Sequence, residues 1–299
     1  MDGLAFHYCS VETFFSIITN KTLRLSDVVK SNDNLEVTWI KKVLLNMIKE
    51  ETLLYENFDE RIKSKISEDL YKDKLREKID CFFDKKEIKS KFFAICFSGS
   101  ESEDMLSQWR GYGDDGKGIA IGFNRRILEK TQKTFVLNSD KSQIKFRKVE
   151  YEEEIQKENI RQFWKKQINI ANRNLEKIEL DFEFWMIQSF YKLYLEAIFM
   201  KNPFFKEENE SRIVYEKGDQ MEENNELVNK MQIGEGKVAI RNGNIVEYYD
   251  LDISKLLNGF IQKIILGPKC KLEQEDVRML MKRFGYQNIE VVWSKGSYR

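Results

Sequence analysis

The segment that spans residues 92–97 places the strongest constraint on the fold. It reads Phe-Phe-Ala-Ile-Cys-Phe, so apolar side chains occupy both alternating faces of an extended chain. A strand with two apolar faces is typical of the middle of a sheet that is covered on both sides. The segment is far shorter than the roughly 20 residues that a membrane-spanning helix needs. We therefore expect a layered architecture with this segment at the centre of its sheet.

Strands and amphipathic helices are predicted on either side of this segment. Residues 6–9 have the pattern of a short strand, and Ser10 is placed to cap a helix that begins at Val11. Two long stretches, at about 35–91 and 152–200, carry apolar residues at helical spacing. The second contains neither proline nor glycine, which favours long helices. We interpret both stretches as helical inserts.

Two local signals predict further strands. Pro203 disfavours helical geometry at the residue before it, so residues 204–215 are expected to return to the sheet. Asn242-Gly243 lies between two apolar runs, which is a strong signal for a tight β-hairpin. The sequence therefore predicts an α+β fold, with one domain over residues 1–299 and a central sheet that is mixed or mainly antiparallel.

Charge and composition limit the classes of partner. Fifty basic and fifty acidic side chains cancel, so no overall field attracts nucleic acid or anionic lipid. The first residues contain no basic segment followed by an apolar run, which disfavours secretion and membrane insertion. We expect a cytoplasmic protein without a membrane partner, and the oligomeric state stays open.

The metal-ligating residue types also argue against some chemistries. The chain has one histidine, and its cysteines show none of the paired spacings of zinc or redox motifs. We expect no metal cofactor and reduced thiols that are mostly buried. The cysteines are Cys9, Cys81, Cys96 and Cys270.

The only histidine, His7, is the first candidate for chemistry, although a single histidine on a strand is more often packed than reactive. Trp109 and Tyr112 are three residues apart and share a helix face, where an aromatic plane could hold a flat heterocycle. Glu208 and Glu210 are two apart, so on a strand they would share one face. Packing of the aromatic rings and a solvated acidic edge neutralised by Arg212 are equally simple explanations.

In their order along the chain, these clusters resemble a bacterial family of unknown function that is known from short motifs. The matching motifs are His7-Tyr8-Cys9-Ser10, Asn32-Asp33-Asn34-Leu35-Glu36, Cys96-Phe97-Ser98, Trp109-Arg110-Gly111-Tyr112, and Glu208-Asn209-Glu210-Ser211-Arg212. The similarity continues to Ile264-Ile265-Leu266-Gly267-Pro268 and Ser294-Lys295-Gly296-Ser297-Tyr298-Arg299.

That family in turn looks like a distant relative of the ADP-ribosyltransferases, which hold NAD in a cleft of a split, mainly antiparallel sheet. The resemblance implies that His7 hydrogen-bonds the adenosine ribose or the nicotinamide side and that Tyr112 stacks on nicotinamide. It implies that Glu210 stabilises the oxocarbenium-like sugar and that Glu208 helps to choose the acceptor. The implied NAD-binding set is His7, Tyr8, Ser10, Ser98, Trp109, Arg110 and Tyr112.

The resemblance thus predicts transfer of ADP-ribose from NAD to an unknown protein or nucleic-acid acceptor, in bacterial phage defence or toxin activity. One alternative is a sensor or interaction module of a defence system that binds a nucleotide without turning it over. Another is an enzyme or binder of nucleic acid, supported locally by the basic residues in the run from Lys141 to Lys148.

Overall fold

The computed structural model of the chain describes residues 3–28, 35–84, 92–99, 103–134, 143–217, 232–241 and 243–296. Its strands are β1 (Leu4–Cys9), β2 (Thr22–Asp27), β3 (Phe92–Ser98), β4 (Ile119–Asn124), β5 (Gln143–Lys148), β6 (Glu210–Glu216), β7 (Gln232–Ile233), β8 (Lys237–Arg241), β9 (Asn244–Asp252), β10 (Ile261–Leu266) and β11 (Glu290–Trp293). The predicted residues Asn32 to Asn34, Asn242 and Ser297 to Arg299 lie outside the described part of the chain.

The helices include long amphipathic ones and several single turns. They are α1 (Val11–Asn20), α2 (Leu35–Glu51), α3 (Glu60–Lys63), α4 (Glu68–Asp84), α5 (Leu106–Gly111), α6 (Arg125–Thr134), α7 (Glu153–Arg173), α8 (Leu175–Leu180), α9 (Phe182–Ala197), α10 (Leu257–Phe260) and α11 (Gln274–Arg283). Short 3-10 segments cover Thr52–Asn57, Asp114–Gly116, Pro203–Glu208 and Ser254–Leu256.

All the strands join one sheet, and the fold is α+β. The main order is β11-β10-β4-β1-β3-β2-β9-β7, with β6 and then β5 attached to β3, and β8 attached to β9. Every strand pair is antiparallel except β10 with β11, so the sheet is mixed but mostly antiparallel, as the sequence predicted.

The sheet divides at β3, the strand that the apolar run predicted to be central. Strand β6 pairs along the whole of one edge of β3. The other edge is shared, because β1 pairs with it at Ser98 and β2 pairs with it at Phe93 and Ala94. Among the described strands, none pairs with that edge of β3 between these two contacts.

The chain forms two compact units. The first contains residues 1–28, 91–148 and 207–299, which include the whole sheet, and the second contains residues 29–90 and 149–206. The two stretches predicted as helical inserts fall almost entirely in the second unit. Its core is aromatic, with ring pairs such as Phe58 and Trp185 at 5.5 Å and Trp164 and Phe190 at 5.3 Å between ring centroids.

In the first unit, the two faces of the sheet differ in character. The face that we call the core face carries Phe97, Ile121 and Ile213, which pack with apolar residues of α1, α6 and α11 in one large buried cluster. We call the other the second face. There a smaller buried cluster gathers Phe6, Tyr8 and Trp109. Beside it, the second face carries polar residues of β3 and β6.

Two local features position the segments around the end of β3. The backbone packs closely at Gly118, where a Cβ atom would lie 2.1 Å from the carbonyl oxygen of Cys9. The strand predicted for residues 204–215 begins later, because Pro203–Glu208 forms a 3-10 segment and β6 starts at Glu210. Glu208 and Glu210 therefore do not share a face of one strand.

Candidate functional site

Glu210 is the first residue of β6 and lies directly opposite Ser98 of β3. Its carboxylate is only 6% exposed and is held by Arg212, two residues further along the same face of the strand. Arg212 Nε donates to Oε1 at 2.8 Å and Nη2 donates to Oε2 at 2.9 Å. A fork of this kind binds both carboxylate oxygens in one plane. Glu210 is therefore fixed in position.

Ser98 connects this strand pair to helix α5. Its hydroxyl donates to Oε1 of Gln108 at 2.8 Å, and both side chains are buried. Directly paired residues of an antiparallel ladder point to the same face, so Ser98, Gln108 and Glu210 meet on the second face. Sequence reasoning did not single out Gln108. Its position next to Trp109, in the same segment as Tyr112, was the signal that could have found it.

Tyr112 and Glu208 form the exposed side of the same group. Tyr112 is 46% exposed, and its hydroxyl donates to Oε1 of Glu208 at 3.2 Å. Between the two glutamates, Asn209 has a left-handed backbone with φ of 43°. The Gly99 amide donates to the Asn209 carbonyl at 2.9 Å, which fixes this turn against the end of β3. The turn holds Glu208 beside Tyr112 while Glu210 enters the sheet.

His7 lies near this group but on a different side of the sheet. Strand alternation puts it on the core face with Ala5 and Cys9, and its ring is 6.0 Å from that of Phe97. Its Nδ1 is 2.9 Å from the carbonyl oxygen of Cys96, in the part of β3 between its contacts with β2 and β1. Because a carbonyl only accepts, Nδ1 carries the proton. Burial lowers the pKa of His7, which favours the neutral ring.

Tyr8 and Trp109 are part of the core of the second face. Trp109 is 1% exposed, its ring meets Tyr8 edge-on at 4.8 Å, and its Nε1 donates to Oδ1 of Asp104 at 2.8 Å. The Tyr8 hydroxyl accepts from the Asp104 amide at 2.9 Å, and burial raises the pKa of Tyr8 to about 12. In this structure, neither ring has an exposed face on which a ligand could stack.

Two other residues of the expected NAD-binding set have different surroundings. Ser10 caps α1 as predicted, with its Oγ accepting from the Thr13 amide at 3.2 Å. Arg110 is an exposed residue of α5. The structure thus brings together four of the predicted residues, and it adds two more that hold them in place. We call this set the Glu210 cluster: Ser98, Gln108, Tyr112, Glu208, Glu210 and Arg212.

Among the described residues, no group of three histidine, cysteine, aspartate or glutamate side chains is arranged to hold a metal ion. Likewise, none of the helices described combines the length and the apolar character that crossing a membrane requires.

From the basic run, Lys145 and Arg147 lie on β5 next to β6, with Arg147 directly opposite Arg212, whereas Lys141 lies outside the described residues.

A family model described as "Protein of unknown function (DUF2971)" matches residues 108–213. These residues carry a DUF2971 domain. The DUF2971 match begins at Gln108 and ends just after Arg212, so it contains every member of the Glu210 cluster except Ser98. No curated protein and no solved structure matches the chain significantly.

Proposed function

We propose that the Glu210 cluster binds NAD and transfers its ADP-ribose group to an acceptor, with release of nicotinamide. The observation that carries the proposal is the buried carboxylate of Glu210, which the Arg212 fork fixes two residues after Glu208, the partner of the half-exposed Tyr112. The division of the sheet at β3 also agrees with the split sheet that the resemblance to ADP-ribosyltransferases implies. The acceptor is a nucleophile of a protein or nucleic acid.

In this reaction, the bond between C1′ of the ribose and the pyridinium nitrogen breaks, and its electron pair leaves with neutral nicotinamide. Positive charge then spreads over C1′ and the ring oxygen of the sugar. A carboxylate held in a site with little water stabilises such a charge more strongly than water does. The acceptor's nucleophile forms the new bond to C1′, and its proton passes to the surrounding water. Glu208, held by Tyr112, is positioned to orient that nucleophile.

In this proposal His7 has an indirect role. Its Nδ1 donates a hydrogen bond to the Cys96 carbonyl oxygen, and its ring is on the core face. Cys96 is cross-strand partner to Arg212, which in turn holds Glu210. His7 therefore acts in the proposal as a positioning residue that keeps β3 in register between its contacts with β2 and β1.

The test is incubation with NAD labelled in the nicotinamide group, with the wild type beside Glu210→Gln. The matched control is Glu216→Gln, the same substitution on the same face at the far end of β6. We expect the wild type and the control to release nicotinamide at similar rates and Glu210→Gln to be at least about 100-fold slower. Equal release by all three proteins would remove Glu210 from the mechanism.

The Arg212 fork also favours a second candidate, a nucleotide-binding module without turnover. A carboxylate whose charge is shared with a guanidinium stabilises a cation less than a free carboxylate does. Isothermal titration calorimetry with NAD separates the two candidates. Binding of NAD by the wild type without any release of nicotinamide would support the module and rule out the transferase.

A further inference from the structure

Gln108 is a buried side chain with half of its hydrogen-bonding capacity unused. It is 2% exposed, and its Oε1 accepts from the Ser98 hydroxyl at 2.8 Å. Within the part of the chain that the structure describes, the two donors on its Nε2 make no hydrogen bond, and Nε2 is not among the fully buried side-chain atoms that lack a partner. Amide donors that the protein does not pair are bound by water or a ligand. An amide with unused donors in the Glu210 cluster is therefore a candidate recognition group.

The position of Gln108 connects it to the rest of the Glu210 cluster. Gln108 lies in α5 and Tyr112 directly follows the helix, where the Tyr112 amide donates to the Gln108 carbonyl at 2.9 Å. Ser98, which binds the Gln108 side chain, lies directly opposite Glu210. An aromatic residue, a primary amide and a carboxylate thus belong to one connected set of residues.

We infer that Gln108 recognises the carboxamide of the nicotinamide ring; this inference rests on the proposed function. Two primary amides can form a reciprocal pair, each donating one N–H to the carbonyl oxygen of the other. The Gln108 oxygen has a second lone pair, so it can accept from the ligand and from Ser98 together. The pairing is possible in either orientation of the Gln108 amide, because each amide presents one donor and one acceptor.

This role makes Gln108 a specificity-determining residue. Nicotinic acid adenine dinucleotide carries a carboxylate where NAD carries the carboxamide, and a carboxylate has no N–H to donate. With this analogue the Gln108 oxygen loses its partner and instead faces a negative charge, which is repulsive. A site that pairs with a polar group of its substrate discriminates strongly against an analogue that lacks it.

The test compares nicotinamide release from NAD with nicotinic acid release from the acid analogue. The variant is Gln108→Met, which is similar in length but cannot pair, and the control is Gln262→Met at an exposed position of β10. We expect the wild type and the control to prefer NAD by at least about tenfold in kcat/KM. In Gln108→Met, kcat/KM for NAD should fall about 10- to 100-fold, mainly through KM, while the value for the analogue changes less than threefold.

The outcomes separate this inference from the proposed function. If Gln108→Met folds, releases nicotinamide and keeps the wild-type preference for NAD, the role of Gln108 is overturned while ADP-ribosyl transfer stands. If the wild type neither binds nor cleaves NAD, both are overturned. A loss of kcat alone, with the preference and KM unchanged, also overturns the recognition role, because a group that reads the carboxamide must change the discrimination. Thermal unfolding of each variant verifies that it is folded.

Discussion

The ion pair between Glu210 and Arg212 allows a quantitative test of how firmly the candidate site is held. Both side chains are less than 10% exposed, and two hydrogen bonds of 2.8 and 2.9 Å join them. Removing one partner takes both charge-assisted hydrogen bonds of the fork from the charge that stays buried. We therefore expect Glu210→Gln and Arg212→Met each to lower the free energy of unfolding by roughly 3–5 kcal/mol.

The free energy of unfolding of the double variant, Glu210→Gln with Arg212→Met, tests the pairing of the two charges more directly than either single variant. With both charges removed, no buried charge is left unpaired, so the loss should be smaller than the sum of the single losses by about 2 kcal/mol or more. The control is Glu247→Gln, which breaks the pair of Glu247 with Lys217 at 2.8 Å, where the side chains are 33% and 40% exposed. That change should cost less than about 1 kcal/mol.

The assay is urea unfolding followed by circular dichroism, with hydrogen exchange of peptides from β3 and β6 as the local measurement. Losses below about 1 kcal/mol for both single variants, or strictly additive losses in the double variant, would refute the reasoning. Glu210 would then be solvated in practice, and a preorganised carboxylate could not be the basis of the proposed chemistry.

Two other predictions concern the surroundings of the cluster. Because burial lowers the pKa of His7, the unfolded chain takes up a proton below pH about 6.5 that the folded chain does not, so stability should fall as the pH drops through that range. Urea midpoints at pH 7.5 and 5.5 measure the fall, and an equally large fall in His7→Gln would contradict the assignment to the only histidine. Gly99→Ala should cost about 1–2 kcal/mol, since a Cβ atom there would lie 2.5 Å from Asn209 Nδ2. Gly111→Ala, where a Cβ meets nothing within 4 Å, is its control, and equal urea midpoints for the two variants would show that the turn adapts freely.

Local patterns in the sequence predicted local structure well. Ser10 caps α1, as its position before an apolar helical pattern predicted. The apolar run at residues 92–97 became β3, the strand at which the sheet divides. The β8–β9 hairpin also formed around Gly243. These features depend on neighbouring residues, which is the information that a single sequence contains.

Features that depend on pairing between distant segments could not be predicted. The face on which His7 lies relative to Glu210 is decided by two registers, Phe6 with Ser98 and Ser98 with Glu210. A shift of one residue in either register would reverse it. The late start of β6 has a local cause, the left-handed backbone at Asn209, but nothing in the residue types required that conformation. The order of the motifs along the chain therefore indicated which residues lie close together. The strand registers decide which of them share a face of the sheet.

The position of β1 inside the sheet, between β4 and β3, has a consequence for synthesis of the chain. When β1 leaves the ribosome, neither neighbour exists, and the last residue of β4 that pairs with it is Asn124. Its apolar residues, such as Phe6, must stay unpaired while more than a hundred later residues are made. Exposed strands of this kind are prone to aggregate before their partners arrive. We therefore expect the yield of folded protein to depend on chaperones and on the rate of translation more strongly than its final stability suggests.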